Sequence, residues 1–328
     1  MDILLIGGNR YFGKRVIALL RESGHRITVL NRGSSGTPGG IEHLVADRDD
    51  EAALESVLAG RSFDVVLDQV CYTPRQAEIA LRVFGTRTGR YVMTSTVEVY
   101  GYEDSPVPVA ESVLDLAAVT VDTGLAWEDP EFREEHYGEG KRQAEAVFAA
   151  GSPFAWTSVR VAHVVGGDDD FTGRIDHYAR RIRAGEPITV PVVNHPATYV
   201  YVEEIAAFLA WAVEAEFTGP VNAHSHGLLS TADICAEIEK LTGGRTVFRE
   251  VEVGEVSPFS FARSYGMDNS RATALGYSFR HCAEWLPRAL SETVGAMRFE
   301  AADVETADSE ATDLGAADVG AADSAAAR

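Results

Sequence analysis

The run Met1-Asp2-Ile3-Leu4-Leu5-Ile6-Gly7-Gly8-Asn9-Arg10-Tyr11-Phe12-Gly13-Lys14-Arg15-Val16-Ile17-Ala18-Leu19-Leu20 decides the fold. Ile3 to Ile6 form a short apolar stretch ending in glycine, the pattern of a fully buried parallel strand. Val16, Ile17, Leu19 and Leu20 then recur at helical spacing up to Ser23-Gly24, a stop signal. Strand, glycine turn and helix in this order aim a helix N-terminus at an anion, as in dinucleotide-binding folds. Gly7 and Gly13 keep two positions of a G-x-x-G-x-x-G spacing, while Arg10 takes the middle one. The plain alternative is a tight strand-helix connection without a ligand. Gly7, Asn9, Arg10, Tyr11, Phe12 and Gly13 are the cofactor-binding candidates of this turn.

Outward from there, a second strand, Arg26 to Leu30, runs into Asn31-Arg32-Gly33. NAD-selecting folds place Asp or Glu at this point for the ribose hydroxyls, whereas arginine accommodates a 2′-phosphate. No acid stands here, so Asn31 and Arg32, with Arg10 nearby, tip the expected cofactor towards NADP, NAD being the alternative. Leu44-Val45-Ala46-Asp47 reads as a third strand whose terminal carboxylate is placed to meet adenine. Phe63 to Asp68 is a fourth, after a helix around Glu51 to Leu58. Strands alternating with helices at this pitch predict an α/β fold with a doubly wound parallel sheet.

The chemistry is carried further along. Tyr137-Gly-Glu-Gly-Lys141 follows the strand-like run Tyr91 to Tyr100-Gly101 by some forty residues. A tyrosine four residues before a lysine shares a helix face with it. A free phenol titrates near pH ~10 and is a poor base at neutrality. A neighbouring ammonium stabilises the phenolate and brings proton transfer within range. Thr96, ending a buried strand, adds a hydroxyl for the same substrate oxygen. The bland reading of Tyr-x-x-x-Lys is an exposed helix face; coupled to the glycine turn, the catalytic reading is preferred.

Together, Gly7-Gly8-x-x-x-x-Gly13, Asp47, Thr96, Tyr100-Gly101 and Tyr137-x-x-x-Lys141 resemble the extended short-chain dehydrogenase/reductase family, the group with nucleotide-sugar epimerases and dehydratases. The resemblance covers residues 1 to 295, and its turn is similar to an atypical branch that includes chloroplast stem-loop RNA-binding relatives. It implies a Rossmann domain over 1–165, rejoined by 195–225, and a smaller C-terminal substrate-binding lobe from 166–194 and 226–299. It also implies hydride exchange with a bound nicotinamide. Tyr137 would be the acid/base, Lys141 would tune it and hold the ribose, and Thr96 would bond the reacting oxygen. Glu98 sits where dehydrating relatives keep a carboxylate that takes a ring proton. Its plain reading is a strand-end residue meeting water. Val97 replaces the partner that would assist a leaving hydroxyl, so dehydration by that route is disfavoured.

In the substrate half, Arg160-Val-Ala-His163-Val-Val-Gly-Gly167 matches the family's Arg-Pro-x-Asn-x-Tyr-Gly-Pro. His163 is a candidate substrate donor or else a satisfied buried histidine. Ala197 falls where nucleotide-sugar enzymes often carry an arginine for the diphosphate, and bidentate arginine is the efficient way to hold phosphate. Arg174, Arg180, Arg263 and Arg271 are the possible substitutes, and Arg174 is the substrate-binding candidate. Residues 103 to 134 are expected to form a loop or short helix over the cleft.

Composition bounds the rest. The 328 residues carry 50 acids against 29 bases, a formal charge of −21, which opposes binding to nucleic acid backbones. Only Lys14, Lys141 and Lys240 are lysines, and an acid-covered, lysine-poor surface resembles proteins from salt-rich cytoplasm. Three cysteines, Cys71, Cys235 and Cys282, without C-x-x-C spacing, speak against disulfides or zinc, and His224-Ser-His226 reads as a strand end rather than a metal pair. No apolar run approaches ~18 residues, so a cytoplasmic protein with no membrane partner is expected, and a homodimer is allowed. The Ala/Asp/Glu-rich stretch 300–328 is too polar to offset its ordering entropy and is expected to be a disordered tail. The function expected is an NAD(P)-dependent oxidoreductase or epimerase acting on a hydroxyl or carbonyl of a sugar-like, even nucleotide-sugar, substrate. The competing reading is a non-catalytic relative that senses the cofactor or binds RNA.

Overall fold

The expected strands form and pair in parallel. In the computed structural model, which describes residues 1–34, 39–101 and 108–296, Asp2–Ile6 (β1) leads through the glycine turn into Phe12–Glu22 (α1). Arg26–Asn31 (β2), Glu42–Val45 (β3), Glu51–Val57 (α2), Phe63–Asp68 (β4), Pro74–Phe84 (α3) and Thr88–Thr96 (β5) follow. Short 3-10 turns at Val97–Tyr100, Glu111–Val113 and Leu116–Ala118 precede Pro130–Glu135 (α4) and Tyr137–Gly151 (α5). Then come Ala155–Val161 (β6), His163–Val165 (β7), Arg174–Ala184 (α6), Pro187–Pro191 (β8), Tyr199–Tyr201 (β9) and Val202–Glu214 (α7). Gly219–Ala223 (β10), Thr231–Thr242 (α8), Val247–Val251 (β11), Ser270–Ala274 (α9) and a helix over 282–296 complete the described chain.

Seven strands make one parallel sheet in the order β10-β6-β5-β4-β1-β2-β3, a Rossmann-type doubly wound arrangement. Successive strand residues point to opposite faces, and the two faces feed two cores. Ile3 and Leu5 join a core containing Val16 and Leu20 of α1 and Phe208 of α7, while Leu4 and Ile6 join one containing Phe84 of α3 and Phe148 of α5. Two further parallel pairs, β8 with β11 and β7 with β9, stand outside this sheet.

One expected boundary moves. The third strand ends at Val45, and Asp47 turns back so that its Oδ1 accepts the N–H of Asp49 at 3.0 Å. That local bond competes with extending the ladder. Among the described residues no helix is long and apolar enough to cross a membrane. The stretch 300–328 lies outside the described residues, as do the first positions of the expected 103–134 loop.

Candidate active site

The glycine turn places backbone against backbone. Gly7 and Gly8 adopt φ of +82° and +80°, a region open to glycine at no steric cost. A side chain at Gly13 would run into the Gly8 carbonyl, so α1 can start directly beneath the turn. Tyr11 ends the turn at φ 50°, costly for a residue with a Cβ. Its buried hydroxyl donates to the Gly166 carbonyl at 2.6 Å, and Phe171 packs edge-on at 6.0 Å. Strain of this kind costs ~1–3 kcal/mol and clusters at ligand clamps.

A cleft of about 950 Å³ opens above this turn, along the carboxyl ends of β1, β2, β4, β5 and β6. Ligands of open α/β sheets bind in this crevice. Of the residues singled out in the sequence, Gly7, Asn9, Arg10, Tyr11, Phe12, Asn31, Arg32, Asp47, Thr96, Glu98, Tyr137, Lys141, His163 and Arg174 all line it. Gly13 packs behind the turn instead. Side-chain atoms of Asn31, Arg48, Gln69, Thr94, His163 and Arg174 are buried along the cleft with no partner among the described residues. Buried polar atoms are normally bonded, so this line of donors and acceptors fits an extended polar ligand such as a dinucleotide.

At the β2 end, the Asn31 Oδ1 accepts the N–H of Gly33 at 2.7 Å and lies 3.0 Å from His43 Nε2. That fixes the amide with Nδ2 unpartnered, a donor where NAD-selecting folds offer an acceptor. Arg32 is exposed at the cleft edge. Arg48 escaped the sequence reading. It is 6% exposed on the cleft floor, paired with Asp68, whose Oδ2 also accepts the Tyr91 hydroxyl at 2.5 Å. Its only sequence signal was position, directly after Asp47.

Thr96 ends β5, and its Oγ1 accepts the N–H of Glu98 at 3.3 Å, capping the following turn. Tyr137 opens α5, with Lys141 one turn on. Gly138 and Gly140 bring α5 in: side chains there would collide with the Glu98 and Tyr72 carbonyls. Lys141 is buried and donates to the Thr94 carbonyl at 2.7 Å, its ammonium 5.9 Å from the Tyr137 ring centre. Burial brings its protonation midpoint down to about 8. Tyr137 differs from expectation. Its phenol is held above the ordinary range, because burial and the neighbouring Tyr72 outweigh the Thr96 hydrogen bond that lowers it. The resting group is therefore a neutral phenol, a proton donor.

Burial raises the Glu98 carboxyl against the opposing pull of Tyr265 and Arg263. Tyr265 donates to Glu98 Oε2 at 3.2 Å, and Arg263 lies 3.7 Å from the same oxygen. His163 is stacked on Phe261 at 4.9 Å and 12°, near Tyr199, Phe259 and Tyr265. Burial, then Arg174 and Arg263, lower its midpoint to about 3, so it is neutral, with Nε2 unpartnered. Ala197 is buried and paired with Leu229 by its backbone. Of the four arginines considered in its stead, Arg180 pairs with Asp176 and Arg271 with the Thr218 carbonyl, both away from the cleft lining. Arg174 lines the cleft over the Phe259 ring at 4.9 Å and has no acidic partner among the described residues.

The segment expected over the cleft does reach it. Arg133 and Glu134 of α4 line the cleft, and Arg133 lies 3.6 Å from Asp49 on the opposite wall. Trp127, earlier in the same segment, is buried against Gly140 of α5. Among the described residues no three His, Cys, Asp or Glu side chains converge as a metal site requires.

The family model described as NAD dependent epimerase/dehydratase family matches residues 3–224. The chloroplast stem-loop binding protein of 41 kDa b from Arabidopsis thaliana is 26% identical over 204 residues, 58% of this chain and 48% of that protein. The 2'-dehydrokanamycin reductase of Streptomyces kanamyceticus is 28% identical over 139 residues, 39% of each chain. This chain thus spans about half or less of the length of these curated relatives. Among solved structures, a UDP-glucose 4-epimerase from Thermotoga maritima with UDP-glucose superposes with a TM-score of 0.69 at 19% identity, covering 92% of this chain and 99% of that one.

Proposed function

Because the chain belongs to the NAD dependent epimerase/dehydratase family, we propose that it is an NAD(P)-dependent enzyme that exchanges hydride with a hydroxyl or carbonyl carbon of a sugar-like substrate. The observation that carries this reading is the convergence of Thr96, Tyr137 and Lys141 at the carboxyl end of β5, beside a cleft lined with unpartnered polar atoms. A bound nicotinamide dinucleotide supplies the hydride donor or acceptor. The chain supplies the rest. The backbone of Gly7 to Phe12 and the N-terminus of α1 would hold the pyrophosphate, Asp47 and Arg48 would meet the adenosine half, and Lys141 would bond the nicotinamide ribose. Tyr137 gives or takes the proton of the reacting oxygen, and Thr96 Oγ1 bonds the same oxygen. The neutral phenol of the resting site favours donation, the direction of carbonyl reduction.

Glu98, His163 and Arg174 face the substrate. Arg174, lining the cleft without an acidic partner among the described residues, supports a substrate that carries negative charge, as a nucleotide sugar does.

For the cofactor, Asn31 Nδ2 and Arg32 are donors where a ribose-reading acid would stand, which supports NADP over NAD. Fluorescence titration should show NADPH binding more tightly than NADH, and Arg32→Asp should shrink or invert that ratio. A parent protein that prefers NADH, or a ratio indifferent to the substitution, would remove this assignment.

A further inference from the structure

Tyr72 is marked by no sequence motif and has no part in the function proposed above, yet its place is fixed from three sides. Its N–H donates to Gln76 Oε1 at 2.6 Å. Its carbonyl occupies space that a side chain at residue 140 would need, so Gly140 admits it. Its ring packs on Tyr137 with centroids 6.0 Å apart at 50°. The Lys141 ammonium stands 4.5 Å from the centre of that ring. Lys141 is 1% exposed, donates to the Thr94 carbonyl, and has no carboxylate in ion-pair range among the described residues. Burying an unpaired charge is expensive, and the negative face of an aromatic ring attracts an ammonium at this distance.

We propose that Tyr72 is a positioning residue for Lys141, its ring face keeping the ammonium charged and aimed into the cleft without placing a negative charge beside Tyr137. A carboxylate in the same place would neutralise the lysine and oppose any negative charge that develops on the Tyr137 oxygen. The other groups facing Lys141 are Asp68 and Cys71 at the end of β4, Arg48 after β3, and Glu145 and Tyr137 on α5. Asp68 is engaged by Arg48 and Glu145 by Arg160. Beside the Thr94 carbonyl, the Tyr72 ring is the partner that remains among the described residues. The inference rests on the role proposed for Lys141, but its test requires neither cofactor nor substrate.

With only three lysines in the chain, protein labelled with 13C-lysine gives three Cε resonances, and Lys141→Met identifies one by its loss. Titrated by NMR, Lys141 should show a midpoint near 8 in the parent. Tyr72→Phe, which keeps the ring, should leave it in place. Tyr72→Leu should lower it by about one unit, the size of a desolvated cation–π contact. Near-ultraviolet circular dichroism on the same samples reports folding, and Tyr72→Met is the second ring-free variant should the leucine variant fail to fold. A folded ring-free variant with an unmoved midpoint overturns the proposal. So does a Tyr72→Phe shift as large as the leucine one, which would assign the effect to the hydroxyl. Failure of the folded parent to bind NADPH or NADH would instead remove the proposed function and leave the Tyr72 contact standing.

Discussion

Lys141 carries a charge that water no longer supports, and its protonation midpoint of about 8 against an ordinary 10.5 reflects that burial. Between pH ~8 and ~10.5 the unfolded chain holds a proton on this lysine that the folded chain has released, so the contribution of this group to stability rises with pH across the window. Catalysis runs the other way, because the proposed role needs the ammonium. The kcat/KM of the enzyme should fall as pH rises through about 8, while the Lys141→Met variant loses the same limb of the stability profile. Activity constant to pH ~10 would show that the charged lysine is dispensable. The Tyr-x-x-x-Lys spacing was legible because a helix turn makes it a geometric statement. Tyr72, Arg48 and Tyr265 were not, because their importance depends on which chain segments meet, and no local pattern encodes that.

At the scale of elements, α5 is the piece on which the site depends. Gly138 and Gly140 each give up ~1 kcal/mol of helix propensity, and the gain is contact: the helix lies against the carbonyls of Glu98 and Tyr72. One turn beyond Lys141, Glu145 is fully buried and bonds Arg160 of β6 through both oxygens, with Ser95 of β5 donating to it at 2.5 Å. Arg160 also donates to Tyr100 at 2.7 Å and to the Glu111 carbonyl at 3.1 Å. This network ties α5, β5 and β6 together beside Thr96, Tyr137 and Lys141. Glu145→Leu should cost ~3–5 kcal/mol in urea unfolding, because it strands a buried guanidinium. A second change, Arg160→Met, should restore much of the loss. A single-variant cost below ~1 kcal/mol would mean that the pair is not a structural tie. The arginine was readable by its match to a family motif; its partner was not, since Glu145 looks like any helical acid until the burial is known.

For the whole molecule, the alternation of apolar runs and glycine turns made the parallel sheet readable from residue 1 to about 100, and β10 joins it from far along the chain. The strands outside that sheet were harder. β7, β8, β9 and β11 take their places through pairings across long sequence separations that no periodicity announces. The charge of −21 and the intact Thr96, Tyr137 and Lys141 weigh for catalysis over RNA binding, even though one relative is a stem-loop binding protein. If Tyr137 moves the proton when hydride moves, the reaction itself shows it: cofactor-loaded protein is mixed with nucleotide sugars, or with whatever metabolite co-purifies, and the absorbance of the reduced nicotinamide is followed. The parent should give a transient or steady turnover. Tyr137→Phe should bind cofactor equally well and react ~10²–10⁴-fold more slowly. A Tyr137→Phe protein that turns over at the parent rate would contradict the account.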